Sequence, residues 1–495
     1  MKGSSRRADV AALLDAAAAH YAAGRLDEAA AAYRRAEAAD PADIRAAYSL
    51  AVIDIRAGRV DRARRRLLAV VAHDPGLFAA QQNLGAVCQS LGLWPEAETA
   101  YRRALALRPD AAETHFSLAR ALAILGRTEE AVASYRALSA DPATRPRALT
   151  RLAILDPAAI NEAELASLRA GAAALDADVE TRTGLLFALA DVLDQRGEDD
   201  QAFAAYAAGN RLKFDTLAAS PQNPHAVAQS HAKTARLVER VFTAETLVRD
   251  PGAGGASSAP IFIVGMPRSG SSLIEQILSS HRQVQAMGES DTLSACVDRH
   301  VPGPPLGQTD RRRLADAYLA AMRARGWKTA PRFVDKTLEN HLRVGAIQLI
   351  FPNAVILHAV RDPVDTCLAC YRQLFTSGNE TLYDLRQIGE AYVRYRRLMD
   401  HWDAVLPGRV IVVEHEALVS DPDAYIRWLV TEACGLAWDP NCLNFHESQG
   451  EVRTASAAQV RRPIFRTSLQ RWRRYADHLG TLFEALGPYA PERSG

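Results

Sequence analysis

The sequence predicts a two-part fold: an all-α superhelix of stacked helix pairs, then an α/β, P-loop-like domain built on a central parallel sheet. Three observations carry this expectation. Gly24, Gly58, Gly92 and Gly126 recur at a step of 34 residues through an alanine-rich, helical stretch. A short apolar run, Ile261–Val264, precedes a glycine-rich turn and then Leu273–Leu278, whose apolar spacing is helical, so the order is strand, loop, helix. Between the two patterns lies Pro251-Gly-Ala-Gly-Gly-Ala-Ser-Ser-Ala-Pro260, which has the composition of a linker.

The repeat is more than a glycine ladder. Ala29, Ala63, Ala97 and Ala131 keep the same step five residues after each glycine, and Tyr33, Leu67, Tyr101 and Tyr135 follow in register. Pro41, Pro75, Pro109 and Pro142 close the units, the last interval being 33. Small residues at helix crossings, a turn glycine and a terminal proline resemble the tetratricopeptide repeat, a pair of antiparallel helices. Such units bury their apolar faces only by stacking, and about three are needed for stability, so residues 9–142 are expected to stand as one domain. The array has two open uses: a groove for a peptide or protein partner, or a spacer or homodimerisation surface. From 143 to 250 the pattern stays helical without the strict period. Gly197 followed by Ala202, Phe203 and Tyr206 suggests a degenerate fifth unit at 181–214. The linker spans 251–260 and the α/β domain 261–490.

Length and composition bound the function. A chain of 495 residues should hold about three units at ~100–200 residues each. Lysine and arginine total 59 against 58 acidic residues, a formal charge of +1, so neither nucleic acid nor a membrane surface is expected as partner and any anion site must be local. No stretch approaches ~18 uninterrupted apolar residues. Lys2, Arg6 and Arg7 precede an alanine-rich run carrying Asp15 and His20, which does not read as a signal peptide; the expected location is cytoplasmic. Cysteines at 88, 296, 367, 370, 434 and 442 are too sparse for a disulfide framework, and Cys367-x-x-Cys370 alone is read as buried helix cysteines rather than a metal site. No metal is expected.

The chemistry lies after the linker. Gly265-x-x-x-x-Gly270-Ser271-Ser272 has the glycine spacing of a triphosphate-binding loop, with serine where that loop has its lysine. That lysine reaches the outer phosphates, and its absence argues against an ATPase or kinase. Backbone amides, the hydroxyls of Ser271 and Ser272, and a helix N-terminus carrying ~+0.5 charge still suit one compact anion. Arg268 adds a fixed cation with a bidentate fork.

Pro267-Arg-Ser-Gly-Ser-Ser272 resembles the 5'-phosphosulfate loop of the sulfotransferase family. Val334-Asp-Lys336, then a strand and Val360-Arg-Asp-Pro363, resemble that family's middle segment and 3'-phosphate motif. Ser456-Ala-Ala-Gln-Val460 with Arg471-Trp472 look like the C-terminal stretch of tyrosylprotein sulfotransferases that contacts 3'-phosphoadenosine 5'-phosphosulfate (PAPS). With the repeats upstream, the whole chain is similar to bacterial tetratricopeptide-repeat sulfotransferase proteins. The resemblance implies a PAPS-dependent sulfotransferase that releases PAP and passes the sulfuryl group to an acceptor hydroxyl, on a peptide tyrosine, a protein or a small molecule. It implies that Pro267, Arg268, Ser269, Gly270, Ser271, Ser272 and Leu273 hold the phosphosulfate, that Arg361 holds the 3'-phosphate, and that Ser456 and Arg471 close over the nucleotide. The family serine two turns after the arginine is Ala369 here, a lost contact to a charged group worth ~1.5–3 kcal/mol.

In-line sulfuryl transfer needs a base on one side and cations on the other. Glu289, in Met287-Gly-Glu-Ser290, stands at the family's catalytic glutamate, though this segment is one residue longer, which keeps its neighbours Ser290 and Asp291 in view. Lys336 is the expected electrophile, and Arg268 the third catalytic group. The bland alternatives are a helix cap for Glu289, a salt bridge to Asp335 for Lys336, and a surface pair with Asp362 for Arg361. A P-loop phosphotransferase, and a repeat scaffold with an inactive sulfotransferase domain, are the competing functions.

Overall fold

The computed structural model describes residues 2–248, 254–298, 307–376, 378–447, 464 and 469–491. Two compact units divide between Leu168 and Arg169.

The first unit is the repeat array. Helix pairs Lys2–Ala22 with Leu26–Ala39, Ile44–Arg56 with Val60–His73, Phe78–Ser90 with Trp94–Leu107, and Ala112–Ile124 with Thr128–Ser139 follow the 34-residue period. The recurring glycines make the turns, with φ of +74°, +67°, +74° and +78° at 24, 58, 92 and 126, a region that residues with a Cβ enter at a cost. The repeated alanines 29, 63, 97 and 131 are all fully buried, because at these crossings a larger side chain would hold the helices apart. Gly85 shows how tight the packing is: a Cβ there would lie 2.5 Å from the buried Tyr101 ring.

The second unit opens with α1 (Val179–Gln195) and α2 (Asp199–Ala218), joined at Gly197 with φ +77°. These are the helices of the degenerate repeat. Their turn matches the array, yet they lie in the unit that holds the sheet. Long-range contacts tie them to it: Asn210 Nδ2 donates to the Tyr371 carbonyl at 2.8 Å, and Phe203 stacks on Tyr371 and His478 with centroids 5.8 and 4.5 Å apart.

The sheet comprises β1 (Pro260–Gly265), β2 (Val284–Ala286), β3 (Arg332–Asp335), β4 (Val355–Val360) and β5 (Ile411–Glu414). All pairings are parallel, in the order β2-β3-β1-β4-β5. Every residue of β1 is buried, as an all-apolar central strand covered on both faces requires. Ile261, Ile263, Val334, Leu357, Ala359 and Val413 form its core with helix α3 (Ser271–Ser279). Helices α4 (Pro363–Tyr371) and α5 (Leu385–Val405) follow β4. The chain leaves β1 towards β3 and β2, then crosses back to β4 and β5, so the order reverses beside β1, the place where open α/β sheets bind ligands at their carboxyl ends. Among the described residues, no helix is long and apolar enough to cross a membrane.

Gly85→Val should lower the melting temperature of the repeat unit by several degrees in circular dichroism, since over-packing a closed core costs ~1–3 kcal/mol. An unchanged melt would mean that the helix pairs are not packed through Tyr101.

Candidate active site

The segment between β1 and α3 is held in an uncommon backbone geometry. Arg268 has φ +69°, a left-handed conformation that costs a residue with a side chain ~1–3 kcal/mol. Gly265 approaches β4 so closely that a Cβ would sit 2.8 Å from the Ala359 carbonyl oxygen. At Gly270, with φ +93°, a Cβ would fall 2.7 Å from His415 Nδ1. Gly270 caps α3 with no side-chain hydrogen bond to the helix amides. Ser269, Ser271 and Ser272 are buried, and Ser269 Oγ has no hydrogen-bond partner among the described residues. A buried hydroxyl and an uncapped helix start, both beside an arginine, form a cradle suited to an anion. Burial lowers the pKa of Arg268, and the neighbouring Arg361 and Arg372 charges push it the same way against the opposing effect of Cys370.

The remaining candidates sit where the other strands end. Lys336 directly follows β3 and is only 1% exposed; its Nζ meets Glu289 Oε1 at 2.6 Å, while the Glu289 side chain is 62% exposed. Asp335 is not the partner. It turns away to accept hydrogen bonds from Tyr318 Oη at 2.7 Å and from the Thr337 amide at 3.0 Å. The Glu289 segment is fixed on both sides. Met287 N donates to the Val334 carbonyl, Lys336 N to the Gly288 carbonyl, and Ser290 N to Thr337 Oγ1, at 2.9, 3.0 and 2.8 Å. Ser290 is buried with its hydroxyl against Thr292 Oγ1, and Asp291 stands at the N-cap of the next helix, so Glu289 is the residue of its segment that meets the lysine.

Two groups here escaped the sequence reading. Glu275 on α3 is buried and accepts a hydrogen bond from the Gly288 amide at 3.1 Å; burial raises its pKa to about 7 despite the nearby Lys336. His415, just past β5, is held down to about 4 by burial and by Arg361. Glu275 was counted only as part of a helical apolar pattern. The available signal was an acid on the face otherwise occupied by Ile274 and Leu278.

Arg361 follows β4. It donates to the Arg268 carbonyl at 3.4 Å and pairs with Asp365 at 3.7 Å, whereas Asp362 instead caps α4 through the Asp365 amide at 2.8 Å. Ala369 lies on α4, partly exposed. Cys367 and Cys370 are buried on the same helix, with the Cys370 thiol donating to the Pro267 carbonyl at 3.3 Å. Arg471 begins a short 3-10 segment, Arg471–His478, and pairs with Asp194 of α1; the following amide, Trp472 N, donates to Asp365 at 2.9 Å. Ser456 lies outside the described residues.

Residues 260–440 match the profile described as sulfotransferase family, and 7–88 and 89–143 match tetratricopeptide repeat profiles. The chain carries tetratricopeptide repeats and a sulfotransferase-family domain. It is 34% identical over 324 residues to an uncharacterized protein of Aquifex aeolicus, covering 62% of this chain and 42% of that relative, so it spans less than half of the relative's length. It is 25% identical over 225 residues to a putative protein-tyrosine sulfotransferase of Caenorhabditis briggsae, covering 43% of this chain and 80% of that one. Among solved structures, a tetratricopeptide repeat protein from Parabacteroides merdae aligns at 17% identity and a TM-score of 0.35, over 45% of this chain and 91% of its own.

In the sulfotransferase-family domain, Glu275 gives a stability signature. Its folded pKa of about 7 stands above the ordinary 4.5, so the folded state holds the proton more tightly. The contribution is full below the ordinary value and is lost as pH rises towards 7, by up to ~3 kcal/mol. Glu275→Gln keeps an acceptor for Gly288 and cannot ionise. It should melt higher than wild type at pH 8 and close to it at pH 4.5; an equal difference at both would contradict the buried, proton-holding carboxyl.

Proposed function

We propose that this protein transfers a sulfuryl group from PAPS to an acceptor hydroxyl, with a peptide tyrosine as the acceptor. The observation that carries the reading is the Lys336–Glu289 pair, placed beside an anion loop that lacks a triphosphate lysine. The donor fits the residues present. The amides and hydroxyls of 268–273 and the Arg268 guanidinium would hold the 5'-phosphosulfate, with Pro267 shaping the turn, and Arg361 the 3'-phosphate, with Ala369 leaving that phosphate one contact short. PAPS supplies the sulfuryl group when bound.

The two sides of the pair differ in exposure, and this suits the two halves of the reaction. Glu289 reaches solvent, where an acceptor arrives, and takes the proton of its hydroxyl as the new oxygen–sulfur bond forms. Lys336 is buried and passes a proton to the bridging oxygen as its bond to sulfur breaks, so that the charge leaving with the phosphate is neutralised. The 2.6 Å contact then offers a path for the proton from Glu289 to the lysine that has given one up. Arg268 stabilises the transferred group and the 5'-phosphate. The tyrosine acceptor rests on the likeness to proteins named protein-tyrosine sulfotransferases and on a repeat array able to hold a peptide.

Glu289→Gln, Lys336→Ala and Arg268→Ala should each slow PAP release from PAPS by about a hundredfold or more. Glu289→Gln should keep its affinity for PAP, while Arg268→Ala should lose it. Wild-type turnover in all three variants would refute the assignment. Labelled PAPS incubated with a cell lysate should place label in polypeptide on tyrosine; label confined to small molecules would remove the peptide acceptor.

A further inference from the structure

The helix pair α1–α2 reads in sequence as a worn fifth repeat, but it carries an acidic face with a specific set of partners. Asp194 is 4% exposed and gathers four donors from two other segments: Arg372 at 2.6 Å, Tyr475 Oη at 2.5 Å, Arg474 at 3.4 Å, and Arg471. One turn earlier, Asp191 accepts from Tyr206 Oη at 2.5 Å, and that same oxygen accepts from Arg372 Nε at 3.2 Å. At the start of α2, Asp199 pairs with Arg474, and Asp200 meets His478 at 2.8 Å. The segment Arg471–His478 is thus strapped to this helix pair along its length. Its other tie runs into the donor site, where Trp472 N shares Asp365 with Arg361.

Two adjacent donors on the strap, Arg471 Nε and Trp472 Nε1, are buried without a hydrogen-bond partner among the described residues. Buried donors of this kind call for an acceptor, and a bound nucleotide would supply one. A buried carboxylate serving three guanidiniums also fixes their geometry, since losing it would leave like charges facing each other in a low-dielectric site.

We infer that α1–α2 is a working part of the donor site and that Asp194 is a positioning residue for nucleotide binding, holding Arg471 and Arg372 in place from the helix pair that precedes the sheet. This rests on the PAPS reading above. The test is calorimetric titration of PAP into full-length wild type, Asp194→Asn, Arg471→Ala and the double variant, with thermal melts and PAPS turnover alongside. Asp194→Asn should weaken PAP roughly ten- to a hundredfold and raise the KM for PAPS, with kcat at saturation little changed. The double variant should lose less affinity than the two single losses added together, because the Arg471 contribution runs through Asp194. If Asp194→Asn does not fold, Arg474→Ala removes that residue's ties to Asp194 and Asp199 and should weaken PAP by itself. PAP affinity unchanged in a folded variant, with only the melt lowered, would make Asp194 merely structural and overturn the inference. Wild type without PAP affinity would overturn the donor reading first, and the inference with it.

Discussion

A lysine sealed from solvent has to meet a counter-charge, and the carboxyl end of the sheet is arranged around that requirement. Lys336 is 1% exposed, and the partner it meets is the glutamate of the neighbouring strand connection rather than the aspartate beside it in sequence. The constraint fixes much else. Asp335 must be satisfied elsewhere, which Tyr318 and Thr337 accomplish. The Glu289 segment must be held at one height above the sheet, which the amides of Met287, Gly288 and Ser290 accomplish. An ion pair with one buried and one exposed member is a poor source of stability, because desolvation of the lysine offsets the attraction. It is a good arrangement for moving a proton.

The same logic recurs with arginines. A chain of net charge +1 concentrates Arg268, Arg361, Arg372 and Arg471 around one end of the sheet, and two carboxylates, Asp194 and Asp365, divide the work of neutralising them. Arg268 bears the consequence in a lowered pKa, caused first by burial and reinforced by its arginine neighbours. An anionic ligand would complete that balance. The parallel sheet makes the convergence possible, since Gly265, Lys336, Arg361, His415 and the Glu289 segment all stand at carboxyl ends of strands whose register is fixed by continuous pairing.

The repeat array was legible because its period is local: a glycine that must adopt positive φ and an alanine that must fit a helix crossing recur wherever the turn recurs. The loop was legible for a similar reason, as strand, glycine turn and helix are adjacent in sequence; β1 and α3 extend the expected runs by only a residue or two. What sequence could not show were contacts made across long separations. Glu275 looks like any helical acid until Gly288 is packed on it. Asp194 looks like a surface residue of a failing repeat until the C-terminal strap lies over it, and the helix pair 179–218 belongs to the second unit. The bland readings of Lys336 and Arg361 named the sequence neighbours Asp335 and Asp362, while the structure pairs them with Glu289 and Asp365. Local spacing proposes ion pairs by proximity along the chain, and folding redistributes them.

The proposed function requires an anion site that takes a 3'-phosphorylated adenosine 5'-phosphosulfate in preference to a nucleoside triphosphate. Calorimetric competition between PAP and ATP on the wild-type protein tests it most directly. The account predicts saturable one-to-one PAP binding, with ATP at least about a hundredfold weaker, as expected for a loop without its triphosphate lysine. Equal affinity for the two, or a preference for ATP, would contradict it.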